Sequence, residues 1–509
     1  MKKARLLHPE QTFDQGRHQA PRRESLVQDL ELDTLLGAMS GGDRFIRDVC
    51  RRVLLTSVTD LDVIQYRQDV LRDCLANPDG VRKLYRIAVE GLELARRHPL
   101  GIMSMSSPAS VLSSSLKLVR LQLEILRQIH QLAKSEKEAF NSQGWSDFLE
   151  QFVVELNADY LDQLERYVRD LELESGFLIS AELGPGNVSS NHILRKQSPR
   201  RHGWLLQFFH DLLQWIRGRR TPAITLQVDM RDESSNTALD DIKRQGIGPV
   251  ANTLARSAER ISAVLGALRT ELAFYVGALN LSEQLGNISE TIAFPTVLPE
   301  GAGTFTATGL YDPCLALTLR QKTVGNDVEA DGKSLAVITG ANQGGKTTFL
   351  RAIGLAQLMM QAGLFVAAEA FSAEIATGLF THYRREEDVE MERGRLDEEL
   401  GRINEMIEAL KPKAPVLLNE SFSATNEREG SEIARQVISG LLERGIRVFF
   451  VTHLYEFAWQ FYQSESDTTL FLRAGREDDG RRTYKMVSAP PLATSFGEDL
   501  YRKVFQADA

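Results

Sequence analysis

Ser334-Leu-Ala-Val-Ile-Thr-Gly-Ala-Asn-Gln-Gly-Gly-Lys-Thr-Thr348 decides how this chain is read. The pattern is Gly-x-x-x-x-Gly-Lys-[Ser/Thr], with Gly340, Gly345, Lys346 and Thr347 at its fixed positions. The apolar run Leu335 to Ile338 predicts a buried strand before it, and Phe349 to Ala362 predicts a helix after it. That is the strand–loop–helix setting a phosphate-binding loop requires. Triphosphate oxygens must lie against backbone N–H groups, so side chains are excluded where the chain wraps them. The helix N-terminus adds free N–H groups and partial positive charge. The loop Gly340, Ala341, Asn342, Gln343, Gly344, Gly345, Lys346, Thr347 and Thr348 is therefore the candidate nucleoside-triphosphate site. Lys346 is expected at the β/γ-phosphates and the Thr347 hydroxyl on Mg²⁺.

Working outward, Pro415-Val-Leu-Leu-Asn-Glu420 predicts a short buried strand that ends in two polar residues. Glu420 suits a base that polarises the attacking water. Asn419 stands where a charged metal ligand is expected, and its amide oxygen ligates a cation without bringing charge. Val448-Phe-Phe-Val-Thr-His453 predicts another buried strand, ending in a histidine placed to meet a γ-phosphate. A lone histidine is commonly a structural residue; here it follows the loop and Glu420 in order.

The remainder divides by texture. Residues 1–27, with Pro9, Pro21 and scattered Lys and Arg, read as a mobile arm. Residues 28–290 read as a helical core with apolar spacing of three and four, including helices near 108–137 and 143–173. Within it, about 174–235 is richer in Gly and Pro, with β-like runs at Phe177-Ile179 and Ile224-Val228. From Pro249, which suits a first helical turn, apolar positions continue to Leu285. About 35 helical residues span roughly 50 Å, the length of a lever between domains. Pro295, Pro299, Gly301 and Gly303 mark a boundary, and 291–509 reads as an α/β domain with a largely parallel sheet. The expected fold is thus multidomain: a mainly α-helical core with a small β-containing insertion, then an α/β phosphate-loop domain.

The 509-residue chain is 43% hydrophobic and 25% charged, ordinary for a globular protein. No apolar run is read as bilayer-spanning and no signal-peptide core is seen, which predicts a cytoplasmic protein. Cys50, Cys74 and Cys314 lack metal-ligand spacing. The net charge of −9 requires any nucleic-acid surface to be local. One such patch exists: Arg195, Lys196, Arg200, Arg201, Arg217, Arg219 and Arg220 stand against the single acid Asp211. These are the candidate DNA contacts, since phosphate binding is largely counterion exchange. A solvated loop or a protein-docking surface is the other reading.

The ordered motifs resemble the MutS family of DNA mismatch-repair ATPases, of the wider ABC-type class. Thr339 to Thr348 parallels that family's Thr-Gly-Pro-Asn-Met-Gly-Gly-Lys-Ser-Thr, and Gly363 to Ala368 its Gly-x-Phe-Val-Pro-Ala. Asn419-Glu420, with Thr425 and Glu429-Gly430, follows its Asp-Glu segment in register; Thr452-His453 and Ser495-Phe-Gly497 match later motifs. The likeness covers about 305–500 closely, and the helical part resembles the family's core and clamp in layout. It implies an ATP- and Mg²⁺-dependent homodimer, joined through its ATPase domains, that opens and closes around DNA. Asn342 and Lys346 would hold phosphates, Thr347 and Asn419 the metal, Glu420 the water and His453 the γ-phosphate.

Three departures qualify that expectation. Gly394, flanked by Arg393 and Arg395, stands where the family's signature serine would reach a partner's γ-phosphate. Asn419 replaces the usual Asp and predicts slow turnover. The family's N-terminal mismatch-reading domain has no room before the helices start, and the Phe-x-Glu at Phe148-Leu-Glu150 lies in a helical pattern. The alternative is an ATP-gated scaffold for a protein partner, with slow or absent hydrolysis.

Overall fold

The computed structural model describes residues 5–11, 13, 23–98, 108–171, 178–183, 189–195, 233–384, 394–477 and 481–492. Chain order begins with helices α1 (Arg23–Asp29), α2 (Leu32–Ser40), α3 (Arg44–Leu54), α4 (Leu61–Ala76), α5 (Pro78–Arg97), α6 (Pro108–Glu136), α7 (Gln143–Glu155) and α8 (Ala158–Asp170). Strands β1 (Leu178–Leu183) and β2 (Ser189–Arg195) precede the long helix α9 (Glu233–Asn287). Then follow β3 (Thr296–Leu298), β4 (Phe305–Leu310), α10 (Pro313–Leu319), β5 (Asn326–Glu329), β6 (Leu335–Gly340) and α11 (Lys346–Gln361). Next are β7 (Ala370–Glu374), β8 (Phe380–Tyr383), α12 (Arg395–Ala409), β9 (Val416–Asn419) and α13 (Glu427–Glu443). The order closes with β10 (Val448–Val451), α14 (Tyr455–Gln463), β11 (Thr469–Arg476) and β12 (Arg482–Ser488).

These elements form two compact units. The first takes Arg86–Ser135 and Glu150–Ala267. Its helices approach closely at Gly91, where an added Cβ would lie 2.6 Å from the Leu265 side chain. Buried Gln122 donates to Ala258 O at 3.1 Å and to Ser262 Oγ at 2.9 Å, so its amide is not left unpaired between helices. In the same unit β1 and β2 pair antiparallel, with Leu178 opposite Arg195.

The second unit takes Lys2–Tyr85, Glu136–Leu149 and Leu268–Ala509. Its larger sheet has the order β12-β11-β6-β10-β9-β8, parallel from β11 to β8, with β12 antiparallel at the edge. Leu335, Val337, Val416, Leu418, Val448 and Phe450 are buried on it, as expected of strands covered on both faces. A smaller sheet runs β3-β7-β4-β5. Helix α11 packs on β6, β9 and β10 of the first sheet and β4 of the second, and is buried along almost its whole length. Helices α13 and α14 cover β10 and β11, and Phe422, Phe450 and Phe457 meet edge-on beneath them. Full burial of each ring is worth about 2 kcal/mol.

Several expectations change. Arg5–Gln11 do not behave as a free arm: Leu6 and Leu7 are fully buried, and their N–H groups donate to Glu271 Oε2 at 3.0 and 2.8 Å. Apolar Leu6-Leu7, hidden in a charged, Pro-containing stretch, drives that docking. Helices α1 to α4 join the phosphate-loop unit instead of standing apart from it; α1 packs on β8 and α2 on α10. The stretch 143–173 is two helices, because Asn157 caps a new one by accepting from Tyr160 N. Helix α9 starts at Glu233 and carries Pro249 inside it, not at its first turn. Ile247–Asn287 is, by length and composition, apolar enough to cross a membrane, contrary to the reading that no such run exists; most of its apolar window is buried within the protein. The run Ile224–Val228 lies outside the described residues, and β2 is a strand that the sequence pattern does not signal.

Candidate nucleotide site

Parallel register assembles the site. Ile338 pairs with Val451, Val451 with Asn419, and Asn419 with Tyr383. Four segments far apart in sequence therefore end at the same edge of the sheet, at the carboxyl ends of the strands, where open α/β sheets bind ligands.

The loop after β6 turns at Gly340, whose φ is +110°, a conformation side chains rarely adopt. An added Cβ there would lie 2.9 Å from Ala474 N. Gly345, at φ +88°, is the N-cap of α11, so the helix begins at Lys346, three residues before the expected start. Lys346 Nζ donates to Gly340 O and Ala341 O, each at 3.0 Å. Burial holds its ammonium below the usual lysine range, with the Glu420 carboxylate opposing that shift. The far end of α11 closes in a Schellman turn: Gly363 N donates to Met360 O and Leu364 N to Met359 O.

Thr347 Oγ1 donates to Asn419 Oδ1 at 3.1 Å. Glu420 follows in a left-handed conformation, φ +53°, and its N–H donates to Val451 O at 2.8 Å. Its Oε1 is 3.0 Å from His453 Nε2, and its Oε2 is 3.9 Å from Arg384 Nη1. The hydrogen bond from His453, then the nearby charges of Lys346 and Arg384, hold the Glu420 carboxyl below its ordinary range against the effect of burial. Thr452, one residue earlier, donates its N–H to Ile338 O and accepts from Leu454 N, which fixes the turn that presents His453.

A cavity of about 540 Å³ opens beside the loop, lined by Asn342 to Phe349 and Glu420 on one side. Tyr311, Lys322, Thr323, Val324 and Asn326 line the other side, with Tyr484. Sequence reasoning missed this second wall. Its only local signal is the polar stretch Gly325-Asn326-Asp327, which enters β5, and Tyr484 arrives from β12 through the tertiary fold. Arg384 was also missed; it directly follows β8 and donates its N–H to Asn419 O.

The other sequence candidates fall elsewhere. Gly394 is exposed and caps α12, Arg393 lies outside the described residues, and the side chain of Arg395 is not described. Thr425 Oγ1 donates to Glu429, and Asn426 caps α13. Phe148 and Leu149 are buried in α7, an ordinary helix face. Arg195 ends β2, while Lys196, Arg200, Arg201, Arg217, Arg219 and Arg220 lie outside the described residues, as does Ser495-Phe-Gly497. Among the described residues no group of His, Cys, Asp and Glu is arranged to hold a metal by itself.

Comparison with known proteins agrees with this arrangement. Residues 59–288 match the MutS2 N-terminal domain and residues 336–504 match MutS domain V. The chain is 35% identical over 132 residues to the endonuclease MutS2 of Thermus thermophilus, covering 26% of this chain and 18% of the relative. It is 32% identical over 161 residues to MutS protein homolog 4 of Mus musculus, covering 31% and 17%. It is 30% identical over 149 residues to the DNA mismatch repair protein MutS of Chloroflexus aurantiacus, covering 28% and 15%. The chain thus spans less than a fifth of the length of each of these relatives. With both domain matches in chain order, and the phosphate loop, Asn419-Glu420 and Thr452-His453 gathered at one sheet edge, the chain belongs to the MutS family.

Proposed function

We propose that this chain binds ATP with Mg²⁺ at the Gly340–Thr348 loop, hydrolyses it slowly, and acts as a dimeric, ATP-gated clamp on DNA. The observation that carries the reading is that Thr347 and Glu420 line one 540 Å³ cavity while they bond to Asn419 and His453 respectively. The residues fit the ligand. Gly345 presents the helix N-terminus without a side chain, and Thr347 Oγ1 and Asn419 Oδ1 offer two neutral oxygens of the kind Mg²⁺ accepts. When bound, Mg²⁺ supplies charge neutralisation at the phosphates. Asn342 and Lys346 hold phosphate oxygens, Lys346 exchanging its loop carbonyls for them. Glu420, ionised, takes the proton of the attacking water, and His453 orients Glu420 and meets the γ-phosphate.

Asn419 brings no charge to the metal, which favours slow turnover and keeps an ATP-gated scaffold for a protein partner as the second reading. The relatives' names, DNA mismatch repair protein among them, favour DNA, and the Arg195–Arg220 patch offers the contact. No mismatch-reading role is assigned. The deciding experiment measures ATP hydrolysis with and without duplex, branched and mismatched DNA, beside a Lys346→Ala control. DNA stimulation, and binding that falls steeply with salt and weakens when Arg200, Arg201, Arg217 and Arg219 are replaced, supports the clamp. Indifference to DNA supports the scaffold.

A further inference from the structure

The segment that follows the proposed base is conformationally expensive. Glu420 and Phe422 both have left-handed backbones, φ +53° and +66°, and neither is glycine. Such residues persist only where the surroundings hold them. Phe422 is held at three points. Its ring is fully buried, edge-on to Phe450 at 6.2 Å. Its carbonyl sits against Gly430, where an added Cβ would lie 2.4 Å from the oxygen. Its N–H donates to Glu399 Oε1 at 2.7 Å, and the Ala424 N–H reaches the same carboxylate. Either side of it, Ser421 Oγ donates to His382 O at 3.1 Å and Ser423 Oγ to Glu420 O at 2.7 Å.

Of these supports, Glu399 is the one side-chain carboxylate, and it comes from α12. It stands in the second turn of α12, is 5% exposed, and does not line the nucleotide cavity. A buried carboxylate that spends its oxygen on backbone N–H groups of a strained turn is an anchor, since such charge-assisted bonds are among the stronger ones. We infer that Glu399 is a positioning residue for hydrolysis: by fixing the Phe422 and Ala424 amides it sets the backbone from which Glu420 projects, and it links that geometry to the seating of α12, whose N-cap is Gly394. This rests on the reading of Glu420 as the base.

The test compares Glu399→Ala and Glu399→Gln with Glu420→Gln in the full chain, measuring kcat, KM, ATP affinity, and amide hydrogen exchange of residues 420–424 without nucleotide. Expected for Glu399→Ala is a kcat loss of about 10- to 100-fold, with KM and ATP affinity within about threefold, and faster exchange at Phe422 and Ala424. Glu399→Gln, which keeps one acceptor oxygen, falls between it and the parent, and decides the matter alone if the alanine variant does not fold. Unchanged kcat or unchanged exchange overturns the inference. So does a parallel loss of ATP affinity, which would mark Glu399 as a support of the whole domain. Should Glu420→Gln hydrolyse ATP at the parent rate, the base assignment itself fails, whatever Glu399 does. Where parent hydrolysis is too slow to time, the exchange measurement decides.

Discussion

His453 Nε2 lies 3.0 Å from Glu420 Oε1, although the two residues are 33 positions apart and leave different strands. Pairing of Val451 with Asn419 makes them neighbours. The contact has a physical consequence: a carboxylate that already accepts a hydrogen bond has a fixed direction, and its ionised form is favoured.

Glu420→Gln is expected to slow ATP hydrolysis by about 100-fold or more, as removal of a general base does. ATP affinity should stay within a few fold, because the proposed role of Glu420 is toward the attacking water and not toward holding the phosphates. Phosphate release and equilibrium nucleotide binding, measured on the same preparation, check both parts.

The same pair sets a pH dependence. The folded Glu420 carboxyl lies below its ordinary value of 4.5. Stability from its ionised form is therefore fully present above the unfolded value and is lost as pH falls through the folded one. His453→Ala removes the largest cause of that shift. Its acid limb, in both stability and rate, should move to higher pH than the parent's; overlapping profiles would show that the pair is not coupled.

Asn419→Asp places a carboxylate beside Thr347 Oγ1, now 3.1 Å from the amide oxygen. Mg²⁺-dependent turnover should rise several fold, and less Mg²⁺ should be needed for half-maximal rate, since a charged oxygen binds the hard cation better. A titration of rate against Mg²⁺ is the measurement, and an unchanged curve rejects Asn419 as the weak metal ligand.

Asp312 both caps α10, accepting from Cys314 N at 2.9 Å, and pairs with Arg351 of α11 while fully buried. Glu31 is the second partner of that guanidinium. Asp312→Ala is expected to cost about 3 kcal/mol, because it leaves the buried Arg351 with only the half-exposed Glu31 as partner and uncaps a helix. Urea unfolding gives the value, and nucleotide affinity should fall with it, because Asp312 also lines the cavity.

Glu271 gathers the N-terminal segment by accepting from Leu6, Leu7 and Phe13 N–H groups. Arg67 adds a bond to Leu7 O at 2.7 Å and another to Ala362 O at the end of α11. Burial pushes the Glu271 carboxyl up, and the three N–H donors and Arg67 oppose the shift. Glu271→Ala should release residues 5–13, seen as fast amide exchange at Leu6 and Leu7, at a cost of about 3 kcal/mol.

Particular residues show where reading the chain succeeds. The phosphate loop was legible because its demands are local: glycine where φ is positive, a lysine and a hydroxyl at fixed offsets, an apolar strand before and a helix after. The positions of Glu420 and His453 were legible because each closely follows a short, largely apolar strand. Leu6-Leu7 was not, since two apolar residues in a charged stretch carry no period, and their partner Glu271 is 265 positions from Leu6. Asn157 and Pro249 misled in opposite directions: a cap divided one expected helix, and a proline failed to start another.

By itself, then, the sequence determined which groups are on offer: a glycine-rich strand–loop–helix carrying Lys346 and Thr347, an amide at Asn419 beside the Glu420 carboxylate, and a histidine after a later strand. Each depends on residue type at short range, where steric limits on backbone angles act directly. Tertiary structure alone decided which groups meet: the register that brings His453 to Glu420, the cavity wall built by Tyr311, Thr323 and Tyr484, and the grip of Glu399 on the Phe422 amide. Those relationships come from strand order and helix packing, which are set by burial of apolar faces over long separations and leave no spacing in the chain to read.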